Sequence, residues 1–146
     1  MSATVEDLLG AWVLESWSLI YEDGRPPEYP LGPDARGLIM YTADGHVAAT
    51  LMRAGRAAAV PESEAARAAA YADSFAYAGR FEVRDGTVFH AIEIATNPAL
   101  AGFRSTRHIQ LDGQRLTLSG ADFSPGAARF QRIVWRRATR KDERHE

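Results

Sequence analysis

Residues 75–96 read FAYAGRFEVRDGTVFHAIEIAT. Two alternating runs flank a central Asp85-Gly86 pair. In the first run, Phe75, Tyr77, Gly79, Phe81 and Val83 share one face, and Arg80, Glu82 and Arg84 lie on the other. In the second, Val88, His90, Ile92 and Ile94 oppose Phe89, Ala91, Glu93 and Ala95. A period of two is the mark of a β-strand with one buried face. Asp-Gly supplies the positive φ angles that a tight hairpin demands. The stretch therefore predicts two antiparallel strands, with His90 and Tyr77 carried on the apolar faces.

The same unit recurs on both sides. Asp23-Gly24, Asp44-Gly45 and Asp112-Gly113 also stand between apolar runs. Strands are read at 11–22, 36–43, 46–53, 75–84, 87–96, 103–111, 114–120 and 129–138. Sequential strands joined mostly by tight turns predict an all-β, eight-stranded antiparallel up-and-down barrel, which closes and leaves no open edge. Two segments depart from this pattern. Thr4-Val-Glu-Asp7 reads as a short helical turn, with Thr4 as cap and Gly10 as its stop. Residues 61–74 are rich in Ala and Glu behind Pro61, and Glu64 with Arg67 forms an i,i+3 pair. Such a helix either covers one opening of the barrel or merely links two strands. The whole of 1–146 reads as one domain, with about 139–146 as a frayed tail.

Composition narrows the function. A formal net charge of −2 argues against a nucleic-acid partner. With zero Cys there is neither a disulfide nor a thiol nucleophile, which favours a cytoplasmic setting. The polar, acidic first residues do not read as a signal peptide, and no apolar run approaches the roughly 20 residues that span a bilayer. Basic residues are almost all Arg, with Lys141 the single lysine, a usage associated with GC-rich bacterial genomes.

Leu9-Gly-Ala-Trp12, Tyr29-Pro-Leu-Gly-Pro33, Gly37-Leu-Ile-Met-Tyr-Thr42 with Asp44-Gly45, Tyr77-Ala-Gly-Arg-Phe81 and Val134-Trp-Arg136 span nearly the whole chain. Together they resemble the lipocalin-like domain family of bacteria and fungi. The resemblance implies a lipocalin-like barrel around an internal cavity, in a family with some members among natural-product biosynthetic enzymes. It also implies that Trp12, opening the first strand, closes the barrel floor beneath an Arg of the last strand. Arg137 is the candidate on the strand phase adopted here, with Arg136 as the alternative.

Alternation assigns the lumen. Phe103, Ser105, Arg107, Ile109 and Leu111 share a face, so Arg107 points in and His108 out. Thr50 and Met52 are taken as inward and Leu51 as outward. Tyr41 sits on a strand of ambiguous phase. The first strand needs a bulge to place both Trp12 and Trp17 inside. The result is an apolar lumen with a few polar tips, the usual make-up of a ligand site. A guanidinium in such a place needs an anionic partner or water.

Several chemistries lack their signatures. No Gly-x-Ser-x-Gly elbow, Gly-x-Gly-x-x-Gly motif or Walker loop is present. His46 and His90 can both face inward, but no His-x-His pair exists, so no metal is expected. The expected function is binding of a small, largely apolar organic molecule, with cofactor-independent isomerisation or cyclisation of it. In that reading His90 is the acid or base, and Arg107 and Tyr77 polarise an oxygen. Tyr41, Thr50, Met52, Phe81, Trp17 and Phe103 contact the ligand. The rivals are a carrier that does no chemistry and an interaction module with a filled lumen. The expected partner is a small hydrophobic ligand, with no nucleic acid or membrane and with a homodimer left open.

Overall fold

The computed structural model describes residues 2–121 and 128–139. Its elements in chain order are α1 (Val5–Leu8), β1 (Gly10–Tyr21), β2 (Arg36–Tyr41), β3 (His46–Met52), α2 (Glu64–Ala72), β4 (Ser74–Arg84), β5 (Thr87–Ala95), β6 (Arg104–Asp112), β7 (Arg115–Ala121) and β8 (Arg129–Arg137), with a single 3-10 turn at Pro98–Leu100. Each strand pairs antiparallel with its chain neighbours, and β8 returns to β1, closing the barrel. The Asp85-Gly86 hairpin has φ of 53° and 74° at its two central residues, the left-handed conformation the dipeptide was read for. The expected tail lies largely outside the described residues.

The floor is built by α1. Thr4 donates its backbone N–H to the Asp7 carboxylate at 2.8 Å, which steadies the first turn. The last turn of a helix leaves carbonyls without partners. Here the indole N–H of Trp12 donates to the Leu8 carbonyl at 2.9 Å. Arg137 donates to the carbonyls of Leu9 and Asp7, both at 2.9 Å. Its guanidinium also lies 4.1 Å from the centroid of the Trp12 ring. Leu8, Trp12, Leu116 and Val88 are fully buried around this point. Arg137 is thus the arginine of the floor. Arg136 pairs with Val13 one residue out of phase, so it faces the other way.

Two irregularities set the strand phases. A register shift between Leu14 and Ser16 bulges β1 at Glu15, so Trp12 and Leu14 point inward below it and Trp17 and Leu19 above it. A second shift, between Ala78 and Gly79, places Ile92 and Ile94 opposite consecutive residues of β4. The extra residue turns Ile94 outward, where it is 68% exposed. The inward assignment of Ile94 is therefore corrected. This bulge requires Gly79, because a Cβ there would lie 2.0 Å from the Ala91 carbonyl oxygen.

Strand β3 also departs from the expected phase. Val47, Ala49 and Leu51 are buried, while Thr50 is exposed and Met52 half-buried. The pairing Tyr41↔Val47 across the Asp44-Gly45 turn dictates this, since directly opposed residues share a face. Thr50 and Met52 are thereby removed from the lumen wall, and Leu51 replaces them. His46 is exposed and rests 3.1 Å from Asp44, so it does not join His90 inside. Tyr41 is buried on the inward face with Ile39.

Candidate functional site

The upper half of the barrel holds a cavity of about 600 Å³. Inward residues of β1, β3, β4, β5, β6 and β8 line it, and α2 stands at its rim through Tyr71 and Ala72. The helix is shorter than expected. Ser63 caps it by accepting from Ala66 N–H at 3.0 Å, and Asp73, just past its end, bonds Arg53 at 3.0 Å. Thus the chain leaving β3 is tied to the chain entering β4.

The walls are mainly aromatic and aliphatic. Trp17 meets Phe75 edge-on with ring centroids 5.3 Å apart, and Phe75 stacks on Tyr77 at 6.4 Å. Phe103 stands at the rim, and Leu19, Leu51 and Ile133 complete the apolar surface. Phe81 lies deeper, edge-on to Tyr41 at 4.8 Å, and is not part of the lining.

The polar side chains divide into two layers. Arg107 and Tyr77 line the cavity. Arg107 shares its face with Val88 of β5, which carries it inward. Its stem passes over Gly120 of β7, where a Cβ would stand 3.2 Å from the Arg107 Cδ. Its one hydrogen bond goes to the neighbouring Thr106 carbonyl at 3.0 Å, and no carboxylate among the described residues pairs with it. Burial pulls its pKa down, and the Tyr77 and Tyr41 hydroxyls work against that shift. A guanidinium remains charged in any such setting.

His90 belongs to the second layer. It is 2% exposed and does not line the cavity. Its Nε2 is 2.8 Å from the Tyr41 hydroxyl and its Nδ1 is 3.1 Å from the Tyr77 hydroxyl. Burial, with a smaller contribution from the positive Arg107, pushes its pKa down to about 3. Burial likewise pushes Tyr77 up to about 12 against the pull of Arg107, and holds Tyr41 well above its ordinary value. The expectation that His90, Arg107 and Tyr77 all project into one cavity thus holds for the last two. His90 sits behind Tyr77, and on β5 it is Ile92 rather than His90 that reaches the cavity.

Stability should report this buried imidazole. The unfolded chain takes up a proton on His90 near its ordinary value of 6.5, whereas the folded chain does so only near 3. In that window the unfolded state holds more protons, so the contribution is complete above about pH 6.5 and is lost as the pH falls towards 3. Urea midpoints measured between about pH 6 and 4 should fall more steeply for wild type than for His90→Gln, by about one proton per molecule. Equal slopes would contradict the neutral, buried imidazole.

Sequence reading missed Trp135 and Gln131, both buried and both lining the cavity. The signal was present, for a β8 phase with Arg137 inward carries Trp135, Ile133 and Gln131 in as well. Gln131 accepts from the Trp17 indole at 3.0 Å. The Trp135 indole N–H is buried without an acceptor among the described residues.

A closed eight-stranded up-and-down barrel with an apolar internal cavity and a sealed floor is the architecture of the lipocalins. The Lipocalin-like domain family matches residues 9–138, and the chain belongs to that family. Two solved structures are similar to it at low identity. One is a lipocalin-like protein from Bacteroides uniformis, with 14% identity, 90% of this chain and 99% of that chain covered, and a TM-score of 0.48. The other is an uncharacterized protein from Bacteroides eggerthii, with 13% identity, 90% and 100% covered, and a TM-score of 0.47. No curated protein matches the chain. Among the described residues, no helix is long and apolar enough to cross a membrane, and no three His, Asp or Glu side chains gather as a metal site would require.

Proposed function

We propose that this protein binds a small, largely apolar organic molecule in the barrel cavity, with an anionic or oxygen-rich group of that molecule against Arg107. The observation that carries the reading is Arg107, without a carboxylate partner among the described residues, in a largely apolar cavity of about 600 Å³. That volume lies within the range of roughly 300–1,000 Å³ typical of small-molecule sites, which argues against a merely filled lumen. A ligand carboxylate or enolate would supply the charge partner that the walls lack.

The chemistry proposed for the bound molecule is a cofactor-independent isomerisation or cyclisation. The barrel would hold a flexible substrate in a reactive shape, and Arg107 with the Tyr77 hydroxyl would stabilise negative charge growing on an oxygen. His90 fits the role of acid or base poorly, since both its nitrogens are engaged and it is held neutral. That same observation favours a second reading, a carrier that does no chemistry, because no group lining the cavity is poised to take up a proton near neutrality. A cytoplasmic setting in a bacterium accords with the cysteine-free, Arg-rich composition, and a place in natural-product biosynthesis is what the family resemblance implies.

Native mass spectrometry of the protein as isolated, followed by organic extraction, is the direct test. An apolar acid or carbonyl compound should be recovered, and recovery should fall for Arg107→Leu. Return of added compound unchanged after incubation favours the carrier, and conversion to an isomer favours the enzyme. Failure to retain any small molecule, together with no binding of apolar anions, would sink both.

A further inference from the structure

The hydrogen-bond chain Tyr41–His90–Tyr77 has a direction. A neutral imidazole carries one N–H and one lone pair, so it donates to one tyrosine and accepts from the other. Tyr41 is fully buried, and among the described residues His90 is the one hydrogen-bond partner of its hydroxyl. With the proton on Nε2, the Tyr41 hydroxyl could only accept from His90, and its own proton would be buried without an acceptor. That arrangement carries the penalty of an unsatisfied buried donor. With the proton on Nδ1, Tyr41 donates to Nε2 and His90 donates to the Tyr77 oxygen. The Tyr41 hydroxyl and both His90 nitrogens are then satisfied, and the Tyr77 O–H, turned away from His90, is left over at the cavity wall.

We infer that His90 is a positioning residue that fixes Tyr77 as a hydrogen-bond donor to the ligand, and that the ligand is an apolar organic acid whose oxygens accept from Tyr77 and Arg107. The rest of the polar lining agrees. Arg107 can only donate. The acceptor oxygen of Gln131 is already occupied by Trp17, and no carboxylate lines the cavity. The charged part of the wall is thus a donor alone, beside the Ser74, Thr96 and Ser105 hydroxyls, which can donate as well as accept. Aligned donors along such a chain strengthen one another. An amine head group would meet no carboxylate among the described lining residues and would face a like charge at Arg107.

This inference rests on the cavity being the ligand site, and two measurements test it. Long-range nitrogen–proton NMR correlation on the wild-type protein identifies the protonated nitrogen of His90. Protonation at Nδ1 is expected, with that signal shifting when decanoate is added. Protonation at Nε2 overturns the relay whatever binds. Titration calorimetry with decanoate, 1-decanol and decylamine then tests the ligand class on a constant chain. Decanoate should bind about tenfold or more tightly than decylamine, with decanol between them. Tyr77→Phe should weaken decanoate by about tenfold and leave decanol within about threefold. Equal binding of all three, or a preference for decylamine, overturns the inference while leaving the cavity as a ligand site. Binding of none of the three overturns the inference and the cavity reading together.

Discussion

Trp12→Ala is expected to destabilise the protein by roughly 3–5 kcal/mol, measured by urea or guanidinium unfolding. The indole is fully buried, so its removal leaves a large void at the base of the barrel. The backbone around it is pinned on three strands, with Trp12 paired to Ile39 on one side and to Arg137 on the other, and cannot collapse to fill the space. Two polar losses add to the void. The Leu8 carbonyl loses its donor, and Arg137 loses the ring 4.1 Å from its guanidinium. Trp12→Phe separates these contributions, because it keeps an aromatic face under Arg137 while removing the N–H. It should cost less than half as much as the alanine variant. The pair can be weighed further by combining Trp12→Leu, which removes the aromatic face, with Arg137→Met. A coupling energy of about 0.5–2 kcal/mol is expected if stacking of the cation on the ring matters. If Trp12→Ala unfolds within about 1 kcal/mol of wild type, the floor contact is not what seals the barrel.

That contact was legible through the family resemblance, which implies an Arg of the last strand over the Trp that opens the first, and strand phase then chose Arg137. Gly10 and Trp12 open the first strand, and alternation along β8 places Arg137 on the same face as Trp135. The strands themselves were legible without it. Asp-Gly pairs fix hairpin positions locally, and strand boundaries fall within a few residues of them. Strand phase is less local. In β3 the two central residues are both alanine, so alternation carries little weight there, and the pairing with β2 decides that Leu51 rather than Thr50 or Met52 faces in. In β5 the bulge that exposes Ile94 depends on close approach of the chain at Gly79, and a lone glycine does not announce which neighbour it admits. The setting of His90 was further from reach. Its two partners come from β2 and β4, brought to one ring only by closure and curvature of the sheet. A residue read as a proton-transfer group from its ordinary pKa becomes a neutral structural link once both nitrogens are capped.

Arg107→Leu should separate stability from binding more cleanly than any other single change. In the free protein the guanidinium is half-buried and, among the described residues, unpaired apart from its bond to the Thr106 carbonyl. Removing a desolvated charge that lacks a partner relieves a cost, and leucine is compatible with Val88 and the other apolar neighbours. The variant should therefore unfold at the same urea concentration as wild type or a higher one. His90 provides an internal check on the local field. Arg107 contributes to holding the imidazole neutral, so its loss should raise the His90 pKa from about 3, although burial remains the larger cause. The gap to the unfolded value then narrows, and the variant should lose less stability than wild type as the pH falls below about 6.5. Binding should move the opposite way. A hydrogen bond to a charged group contributes about 1.5–3 kcal/mol, so decanoate should bind roughly 10- to 100-fold more weakly, while 1-decanol changes little. Arg107→Lys keeps the charge but not the planar fork, and should fall between the two for decanoate. The outcome that would sink the assignment is a leucine variant that unfolds earlier than wild type yet binds decanoate equally well, since Arg107 would then be holding the barrel together rather than waiting for an anion.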